Sequence, residues 1–349
     1  MTISSSTNFI RTFDSNMPNL NGASILVTGG TGSFGSAFLK EVIKRYRPAR
    51  LVVYSRDELK QYEMQADPVF ANEPSMRFFI GDVRDVNRLE SAMRDINIVI
   101  HAAALKQIPT AEYNPFECIR TNVMGAENIV QAAIRANVKQ VIALSTDKAA
   151  NPINLYGASK LASDKLFVAG NNMSGSVGTR FSVVRYGNVL GSRGSVIPFF
   201  RRLLSEGARE LPITDERMTR FWISLEQGVA FVLSSLAIMQ GGEIFVPKIP
   251  STDLVTLVSA LDHTATHRVV GIRPGEKLHE VMVSEDDARS TVDLGDRFVI
   301  QPAYKSWDGI QNSGLDGETV ADGFVYSSNQ NNETIDTNEL RELLKIAGV

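Results

Sequence analysis

Six short runs of β-branched and apolar residues alternate with longer helical patterns in the first half of the chain. The runs cover residues 24–28, 51–55, 77–81, 98–104, 141–145 and 181–186, and the helical patterns lie near 35–46, 57–65, 86–94, 115–137 and 156–170. Strands that alternate with helices of this length require parallel crossovers. The alternation therefore predicts an α/β fold with a doubly wound parallel sheet.

The rhythm loosens after residue 190, where a stretch rich in Gly, Ser and Pro begins. Helices are predicted near 199–206, 224–239 and 337–346, and 303–331 reads as an irregular segment. A further strand at 243–247 is expected to return to the main sheet. We predict an N-terminal extension (1–20), a cofactor domain (21–190, completed by about 224–248) and a smaller C-terminal substrate lobe (191–223 and 249–349).

Composition excludes several classes of protein. The formal net charge is −3 and no long run of Lys or Arg occurs, so neither nucleic acid nor a membrane surface is an expected partner. A single cysteine, Cys118, fits a reducing cytoplasm, and no segment has the apolar length of a signal peptide or membrane anchor. No metal site is expected, because the four histidines have no ligand spacing (His101, His263, His267 and His279).

A glycine motif, TGGTGSFG, follows the first predicted strand directly. Gly29, Gly32 and Gly35 stand at three-residue intervals. A pyrophosphate needs a tight turn, close backbone approach and a free helix N-terminus, and glycines at these points supply all three. The motif predicts a dinucleotide cofactor, held by Gly29, Thr31, Gly32, Ser33, Phe34 and Gly35.

The end of the second strand indicates which dinucleotide binds. NAD enzymes commonly place an acidic residue there for the ribose 2′-hydroxyl. Here Ser55 and Arg56 occupy that point, and a guanidinium with a hydroxyl suits a 2′-phosphate better. We therefore expect NADP. Further cofactor contacts are expected after the third and fourth strands, from Asp82, Val83, Ala102, Ala103, Ala104 and Lys106.

Tyr156 and Lys160 form the predicted redox pair. They are four residues apart and so share one face of a helix. A nearby ammonium and the cofactor's positive nicotinamide lower the pKa of the phenol, which lets tyrosinate take a proton from an alcohol as hydride leaves. Ser145 and Thr146, at the end of the preceding strand, make the motif far more specific than its spacing alone.

These motifs resemble those of extended short-chain dehydrogenases/reductases. Within that superfamily the chain is similar to the inverting UDP-N-acetylglucosamine 4,6-dehydratases, which open the pseudaminic acid pathway for flagellin glycosylation. The matching stretches are TGGTGSFG, SRDELKQ, HAAALKQIP, TNVMGAENI, STDKAANPINLYGASK, VRYGNVLGSRGSVIPFF, MTRFWI and RPGEKLHE, between residue 28 and about 281. The resemblance implies a Rossmann domain with tightly bound, recycled NADP, a UDP-sugar substrate and a homo-oligomer.

Asp147 and Lys148 distinguish this chain from a plain dehydrogenase. Removing water across C5 and C6 of a sugar becomes feasible once C4 is a ketone, and it then requires an acid and a base beyond the tyrosine. We assign Lys148 as the C5 base and Asp147 as the acid for the C6 hydroxyl, roles that the resemblance also implies, together with inversion at C5. Lys148 must be neutral, and we expect burial beside Lys160 or the nicotinamide to lower its pKa.

Further residues are expected to hold the sugar nucleotide. Lys106 could reach both the nicotinamide ribose and the sugar. Arg273 opens a Pro-Gly turn that suits bidentate phosphate binding, and other candidate cations are Arg193, Arg217 and Arg220. Asn122 is expected to satisfy a backbone group near the site. The resemblance adds four substrate contacts, which are Asn188, Val196, Met218 and Thr219.

Three functions fit these residues. The first is a lyase that removes water from a UDP-sugar with recycled NADP. The second is a nucleotide-sugar 4-epimerase or simple oxidoreductase, for which Asp147 and Lys148 would be surplus. The third is a catalytically silent NADP-binding scaffold, which the intact pair of Tyr156 and Lys160 disfavours.

Overall fold

The computed structural model describes residues 10–192, 194–303 and 314–349, and a parallel sheet forms its centre. The first six strands are β1 (Ser24–Thr28), β2 (Arg50–Ser55), β3 (Met76–Ile80), β4 (Ile98–His101), β5 (Gln140–Thr146) and β6 (Arg180–Tyr186). The later strands are β7 (Asn188–Val189), β8 (Glu210–Ile213), β9 (Thr219–Ile223), β10 (Ile244–Pro247), β11 (Ser251–Asp253), β12 (Thr266–Val269), β13 (Val281–Val283), β14 (Thr291–Asp293), β15 (Arg297–Ile300), β16 (Glu318–Thr319) and β17 (Tyr326–Ser327).

Helices connect these strands. They are α1 (Ser33–Arg45), α2 (Glu58–Ala66), α3 (Pro68–Ala71), α4 (Val86–Ala92), α5 (Ile108–Tyr113), α6 (Pro115–Ile119), α7 (Gly125–Arg135), α8 (Leu155–Met173), α9 (Val196–Ser205), α10 (Leu225–Ile238), α11 (Leu254–Leu261), α12 (Glu285–Ala288) and α13 (Thr337–Ile346). Among the described residues, no helix combines the length and the apolar character needed to cross a membrane.

The main sheet has ten strands in the order β16-β14-β15-β10-β6-β5-β4-β1-β2-β3. All neighbours from β10 to β3 are parallel, and β15, β14 and β16 extend the sheet in antiparallel pairs. This order confirms the predicted doubly wound fold, and β10 returns to the main sheet beside β6. The strand order reverses between β1 and β4, which is where open α/β sheets bind ligands.

Buried side chains form two clusters that differ in position along the chain. The larger cluster surrounds the main sheet, where every residue of β1 is buried and Phe38, Leu39 and Val42 of α1 pack against it. The smaller cluster joins α9, β8, α11 and α13 through residues such as Leu211, Leu257 and Leu340. The proposed division into a cofactor domain and a substrate lobe stays a prediction.

Residues 10–20 belong to the packed structure. The Phe13 ring meets the Phe231 ring of α10 edge-on at 4.9 Å between centroids, and Leu20 is buried. The guanidinium of Arg11 pairs with the carboxylate of Glu333, close to α13 in sequence. The described part of the predicted extension is therefore fixed by apolar and ionic contacts.

Candidate active site

A cavity of about 850 Å³ opens at the carboxyl ends of the parallel strands. Its wall includes Gly29 after β1, Ser55 at the end of β2, Ala102 after β4 and Thr146 at the end of β5. Residues from the second half of the chain, Met218 and Arg273 among them, line its other side. The cavity is large enough for ligands of drug size or above.

The turn between β1 and α1 has the geometry of a pyrophosphate cradle. Gly29 adopts a φ of 65°, a left-handed conformation that L side chains rarely adopt, and a Cβ there would lie 3.0 Å from the backbone nitrogen of Ala103. Gly32 caps α1 and no side chain caps this helix end. The first-turn N–H groups of α1 are therefore available to an anion, so these residues fit a dinucleotide.

A substitution at Gly35 would test how closely the backbone packs in this turn. A Cβ at Gly35 would lie 2.5 Å from the Cα of Gly30 and 2.7 Å from the carbonyl oxygen of Gly29. Because these neighbours are backbone atoms, Gly35→Ala is expected to destabilise the fold by roughly 1–3 kcal/mol and to weaken dinucleotide binding. Thermal unfolding with and without NADP measures both effects.

Gly228→Ala is the matched control. Gly228 is also helical, but a Cβ there meets nothing within 4 Å. Removing a glycine from the interior of α10 should stabilise the protein by up to about 1 kcal/mol. If both variants unfold at the wild-type temperature, the backbone approach at Gly35 is not as tight as the structure shows.

The end of the cavity beside β2, where the adenosine of a dinucleotide would lie, carries two cations. The Arg56 side chain is 53% exposed, and its Nη1 lies 3.5 Å from Oδ2 of Asp82. Lys60, which sequence reasoning missed, also lines the cavity and pairs with Asp57 at 2.6 Å. Lys60 stands four residues after Arg56 in the sequence, and this spacing was the signal that could have identified it. The other predicted cofactor contacts also line the cavity, namely Thr31, Ser33, Phe34, Ser55, Val83, Ala103, Ala104 and Lys106.

Tyr156 and Lys160 both line the cavity from α8. Burial raises the pKa of Tyr156 to about 12, while the Lys148 ammonium and a hydrogen bond with the Thr146 hydroxyl oppose this shift. The Lys160 ammonium donates to the carbonyl oxygen of Leu144 at 2.7 Å, and burial lowers its pKa. The ammonium that acts most strongly on the tyrosine is therefore Lys148, not Lys160 as expected.

Lys148 stands between two carboxylates, which corrects its expected environment. Its Nζ lies 3.0 Å from Oδ1 of Asp147 and 3.3 Å from Oε1 of Glu280. Burial alone would lower the pKa of Lys148, but these two charges outweigh burial and raise the pKa above its usual value. The neighbours that we predicted, a cation or the nicotinamide, would have lowered it.

Asp147 is completely buried and is not part of the cavity wall. Its Oδ1 accepts a hydrogen bond from Thr146 Oγ1 at 2.7 Å as well as the bond from Lys148. Thr146 and Lys148 do line the cavity. Asp147 therefore communicates with the cavity through these two neighbours.

Asn122 occupies a π-helical turn, Arg120–Met124, between α6 and α7. Its side chain accepts a hydrogen bond from the Leu105 N–H at 2.8 Å and donates to the Leu105 carbonyl at 2.9 Å. It also donates to Ser159 Oγ on α8 at 2.9 Å. Asn122 thus fixes the backbone beside Lys106, in agreement with the structural role that we expected.

The predicted substrate residues separate into two groups. Lys106, Asn188, Val196, Met218 and Arg273 line the cavity, as does Arg220. Thr219 is outside the lining, which corrects its predicted sugar contact, because its hydroxyl is bonded to His279 Nδ1 at 2.8 Å and Ser328 Oγ at 2.7 Å. Arg217 pairs with Asp215 away from the cavity, and Arg193 lies outside the described residues.

Sequence reasoning also missed Lys277 and Glu280, which line the cavity from the stretch RPGEKLHE. This stretch was identified from the sequence as a motif, but a role was assigned only to Arg273. The motif was therefore the signal that could have identified Lys277 and Glu280. The residues that the structure describes contain no group of His, Cys, Asp or Glu side chains able to hold a metal ion.

Comparison with known proteins gives relatives over most of the chain. A curated UDP-N-acetylglucosamine 4,6-dehydratase (inverting) from Campylobacter jejuni is 57% identical over 329 residues, covering 93% of this chain and 98% of the relative. A curated UDP-glucose 4-epimerase from Rickettsia bellii is 44% identical over 285 residues, covering 79% and 82%. Both enzyme classes act on UDP-sugars.

Two solved structures share the fold. The structure of Pen from Bacillus thuringiensis has a TM-score of 0.85 and 34% identity, covering 94% of this chain and 99% of that one. DesIV from Streptomyces venezuelae, a dTDP-glucose 4,6-dehydratase solved with NAD and TYD bound, has a TM-score of 0.63 and 25% identity, covering 73% and 86%.

A family profile described as "Polysaccharide biosynthesis protein" matches residues 25–302. This match and the curated relatives agree with the redox pair and the dinucleotide cradle. The chain therefore belongs to the polysaccharide biosynthesis family of extended short-chain dehydrogenases/reductases, as an enzyme of its nucleotide-sugar dehydratase group.

Proposed function

We propose that the protein is an NADP-dependent, C5-inverting UDP-N-acetylglucosamine 4,6-dehydratase. The observation that carries this proposal is that one cavity wall holds both the redox pair, Tyr156 and Lys160, and the amine of Lys148 backed by Asp147. A dehydrogenase needs only the first pair. The identity to the C. jejuni dehydratase supports the substrate and the inversion.

The cofactor proposal rests on the adenosine end of the cavity. Arg56 and Lys60 are two cations at the point where a 2′-phosphate would lie, and guanidinium and ammonium groups both bind phosphate well. A nicotinamide dinucleotide in this cavity supplies a hydride acceptor for C4 and a hydride donor for C6. Because the hydride returns to the same sugar, the cofactor is not consumed.

The chain's own residues then move the protons. Tyr156 would take the proton of the C4 hydroxyl as tyrosinate, the form that the Lys148 ammonium favours and that a positive nicotinamide would favour further, with Thr146 beside it. The 3.0 Å bond between Lys148 and Asp147 lets one proton pass from ammonium to carboxylate, which leaves a neutral amine and a carboxylic acid. The amine takes the C5 proton. Because Asp147 is outside the cavity wall, its proton would reach the C6 oxygen through the Thr146 hydroxyl, which hydrogen-bonds to it, and would leave as water.

The protons balance over the whole cycle, and Lys148 starts the cycle as an ammonium, as its raised pKa requires. Elimination returns Lys148 and Asp147 to the ion pair in which they started. After hydride has returned to C6, Lys148 would give a proton to the C5 face opposite the one that it deprotonated, which inverts the centre and requires the sugar to turn in the cavity between the two steps. The proton held by Tyr156 then restores the ammonium. Each turnover therefore releases one water and no net proton.

The second candidate function is a 4-epimerase. The R. bellii epimerase, at 44% identity, is the observation that favours it. An epimerase returns hydride to C4 and removes no proton from C5, so it has no use for an acid and base at positions 147 and 148. The buried ion pair beside the redox pair is therefore the reason to prefer the dehydratase.

Mass spectrometry of the product tests the proposal. Purified protein is incubated with UDP-N-acetylglucosamine and no added cofactor, and the mass of the nucleotide sugar is measured. Loss of one water is expected, and the dinucleotide released by denaturing the protein should be NADP. An unchanged mass with a shifted sugar NMR spectrum would establish the epimerase instead, and an unchanged substrate would exclude both enzymes.

The biological setting is proposed on the same basis. We infer a cytoplasmic enzyme whose keto sugar enters pseudaminic acid synthesis for flagellin glycans, as the family resemblance implies. A homo-oligomer is proposed because α5 and α6 expose large apolar side chains, with Tyr113 88% and Phe116 73% exposed. Neighbouring exposed apolar groups of this kind commonly mark protein interfaces.

A further inference from the structure

Glu280 is a buried carboxylate in the cavity wall to which the steps above assign no task. It is only 2% exposed. Its backbone is fixed by Ser328, which accepts the Glu280 N–H at Oγ (2.9 Å) and donates its own N–H to the Glu280 carbonyl (2.8 Å). Its Oε2 is buried with no hydrogen-bond partner in the described part of the chain. Burying a polar atom costs free energy unless it is paired or hydrogen-bonded, so an unpartnered buried oxygen calls for a functional explanation.

The other carboxylate oxygen, Oε1, holds two cations. It lies 3.3 Å from Lys148 Nζ and 3.6 Å from Arg220 Nε. Arg220 is itself fixed, because its guanidinium donates to the backbone carbonyls of Thr219 and Lys277. Glu280 therefore links the proposed base to a rigid part of the second half of the chain.

The number of N–H donors on the Lys148 nitrogen indicates the role of Glu280. An ammonium has three N–H donors; Lys148 Nζ hydrogen-bonds to Asp147 at 3.0 Å and to Asn188 at 3.4 Å, and it forms an ion pair with Glu280 at 3.3 Å. A neutral amine has only two N–H donors and one lone pair. After a proton passes to Asp147, Glu280 and Asn188 are the residues that still offer an oxygen within 3.4 Å of the nitrogen.

We propose that Glu280 is a positioning residue for water elimination, which shares the Lys148 nitrogen with Asp147 and so sets where the amine stands and how readily it gives up its proton. This inference rests on the proposed function, because it gives Lys148 the role of base. It adds a carboxylate from a distant part of the sequence to the pair at positions 147 and 148.

The charges around Lys148 give the direction of the effect. Asp147 and Glu280 face it with negative charge, and Arg220, Lys277 and the neutral phenol of Tyr156 are the other titratable groups that interact with it. Two ammonium or guanidinium neighbours thus oppose two carboxylates. Removing the charge of Glu280 leaves the cations in excess, so Lys148 should lose its proton at lower pH.

Glu280→Gln separates charge from shape, because glutamine keeps an oxygen that can accept from Lys148. Pulse acetylation at a series of pH values, read by mass spectrometry of the Lys148 peptide, measures the neutral fraction of this amine without substrate. We expect Glu280→Gln to acetylate at least about tenfold more at a given pH below the midpoint, which is a shift of about one pKa unit. The basic limb of the pH profile for water loss should likewise move to lower pH.

Glu280→Asp keeps the charge and shortens the reach. It should acetylate at nearly the wild-type pH yet eliminate water more slowly, because the carboxylate no longer holds the nitrogen in place. Glu333→Gln is the matched control, since Glu333 also pairs with an arginine but lies outside the cavity wall. Its acetylation and pH profiles should match the wild type.

An unchanged acetylation midpoint in folded Glu280→Gln, or equal elimination rates in Glu280→Asp and wild type, would overturn the inference. Thermal unfolding verifies that each variant is folded. A wild-type protein that loses no water would instead overturn the proposed function, while the acetylation result would still report the contact between Glu280 and Lys148. The two failures are therefore distinguishable.

Discussion

The Lys148→Ala variant is expected to transfer hydride from the substrate to its bound cofactor, but to eliminate water about 10²–10⁴-fold more slowly than the wild type. This is the usual contribution of a general base. Oxidation of C4 uses Tyr156 and Lys160, which this change leaves in place, so it should continue, but more slowly because the Lys148 ammonium that favours tyrosinate is gone. Elimination depends on an amine within reach of C5, which this change removes. Near-ultraviolet absorbance follows the reduced nicotinamide, and mass spectrometry follows the loss of water.

Lys165→Ala is the control for Lys148→Ala. Lys165 is an exposed lysine of α8, so its loss should change neither step. Normal dehydration by Lys148→Ala would remove the base from the scheme. A variant that neither reduces its cofactor nor eliminates water, while remaining folded, would show that Lys148 acts mainly through the pKa of Tyr156.

The fold was predictable because its determinants are local. Each parallel strand is a short apolar run, and the predicted helices lie within a few residues of α1, α2, α4, α8 and α10. The run 98–104 exceeds strand β4, which ends at His101. The three alanines that follow leave the sheet and line the cavity instead.

Interruptions within a helix were harder to predict. The stretch 115–137 reads as one helix, whereas the structure divides it into α6, a π-helical turn and α7. The turn contains Asn122, whose side chain bonds both backbone groups of Leu105. A tertiary contact of this kind leaves no periodic signal in the sequence, so only the structure shows it.

The candidate site was predictable where its residues follow a strand directly. Thr146, Asp147 and Lys148 were found because they come directly at the end of β5. Glu280 was not found, because nothing in the sequence connects it with Lys148. The predicted direction of the Lys148 pKa shift was wrong because the charge of the adjacent Asp147, the largest cause that raises this pKa, was left out of the prediction, and because Glu280 is brought in by tertiary packing.

Tyr156→Phe is expected to abolish both steps, unlike Lys148→Ala. The change removes the phenol oxygen but keeps the half-buried ring, so the fold should be retained. Without a base for the C4 hydroxyl, cofactor reduction should fall by about 10²–10⁴-fold, and water loss should fall with it because C5 is never adjacent to a ketone. Absorbance of the reduced cofactor and the product mass are measured as before.

Tyr326→Phe separates this effect from the loss of any buried phenol. The Tyr326 hydroxyl bonds the backbone of Ile249 outside the cavity wall, so its removal should cost about 1 kcal/mol of stability and leave both steps intact. Reduction of the cofactor by Tyr156→Phe at the wild-type rate would mean that another group takes the C4 proton. Thr146 is then the nearest candidate, because its hydroxyl hydrogen-bonds to Tyr156 and donates to Asp147.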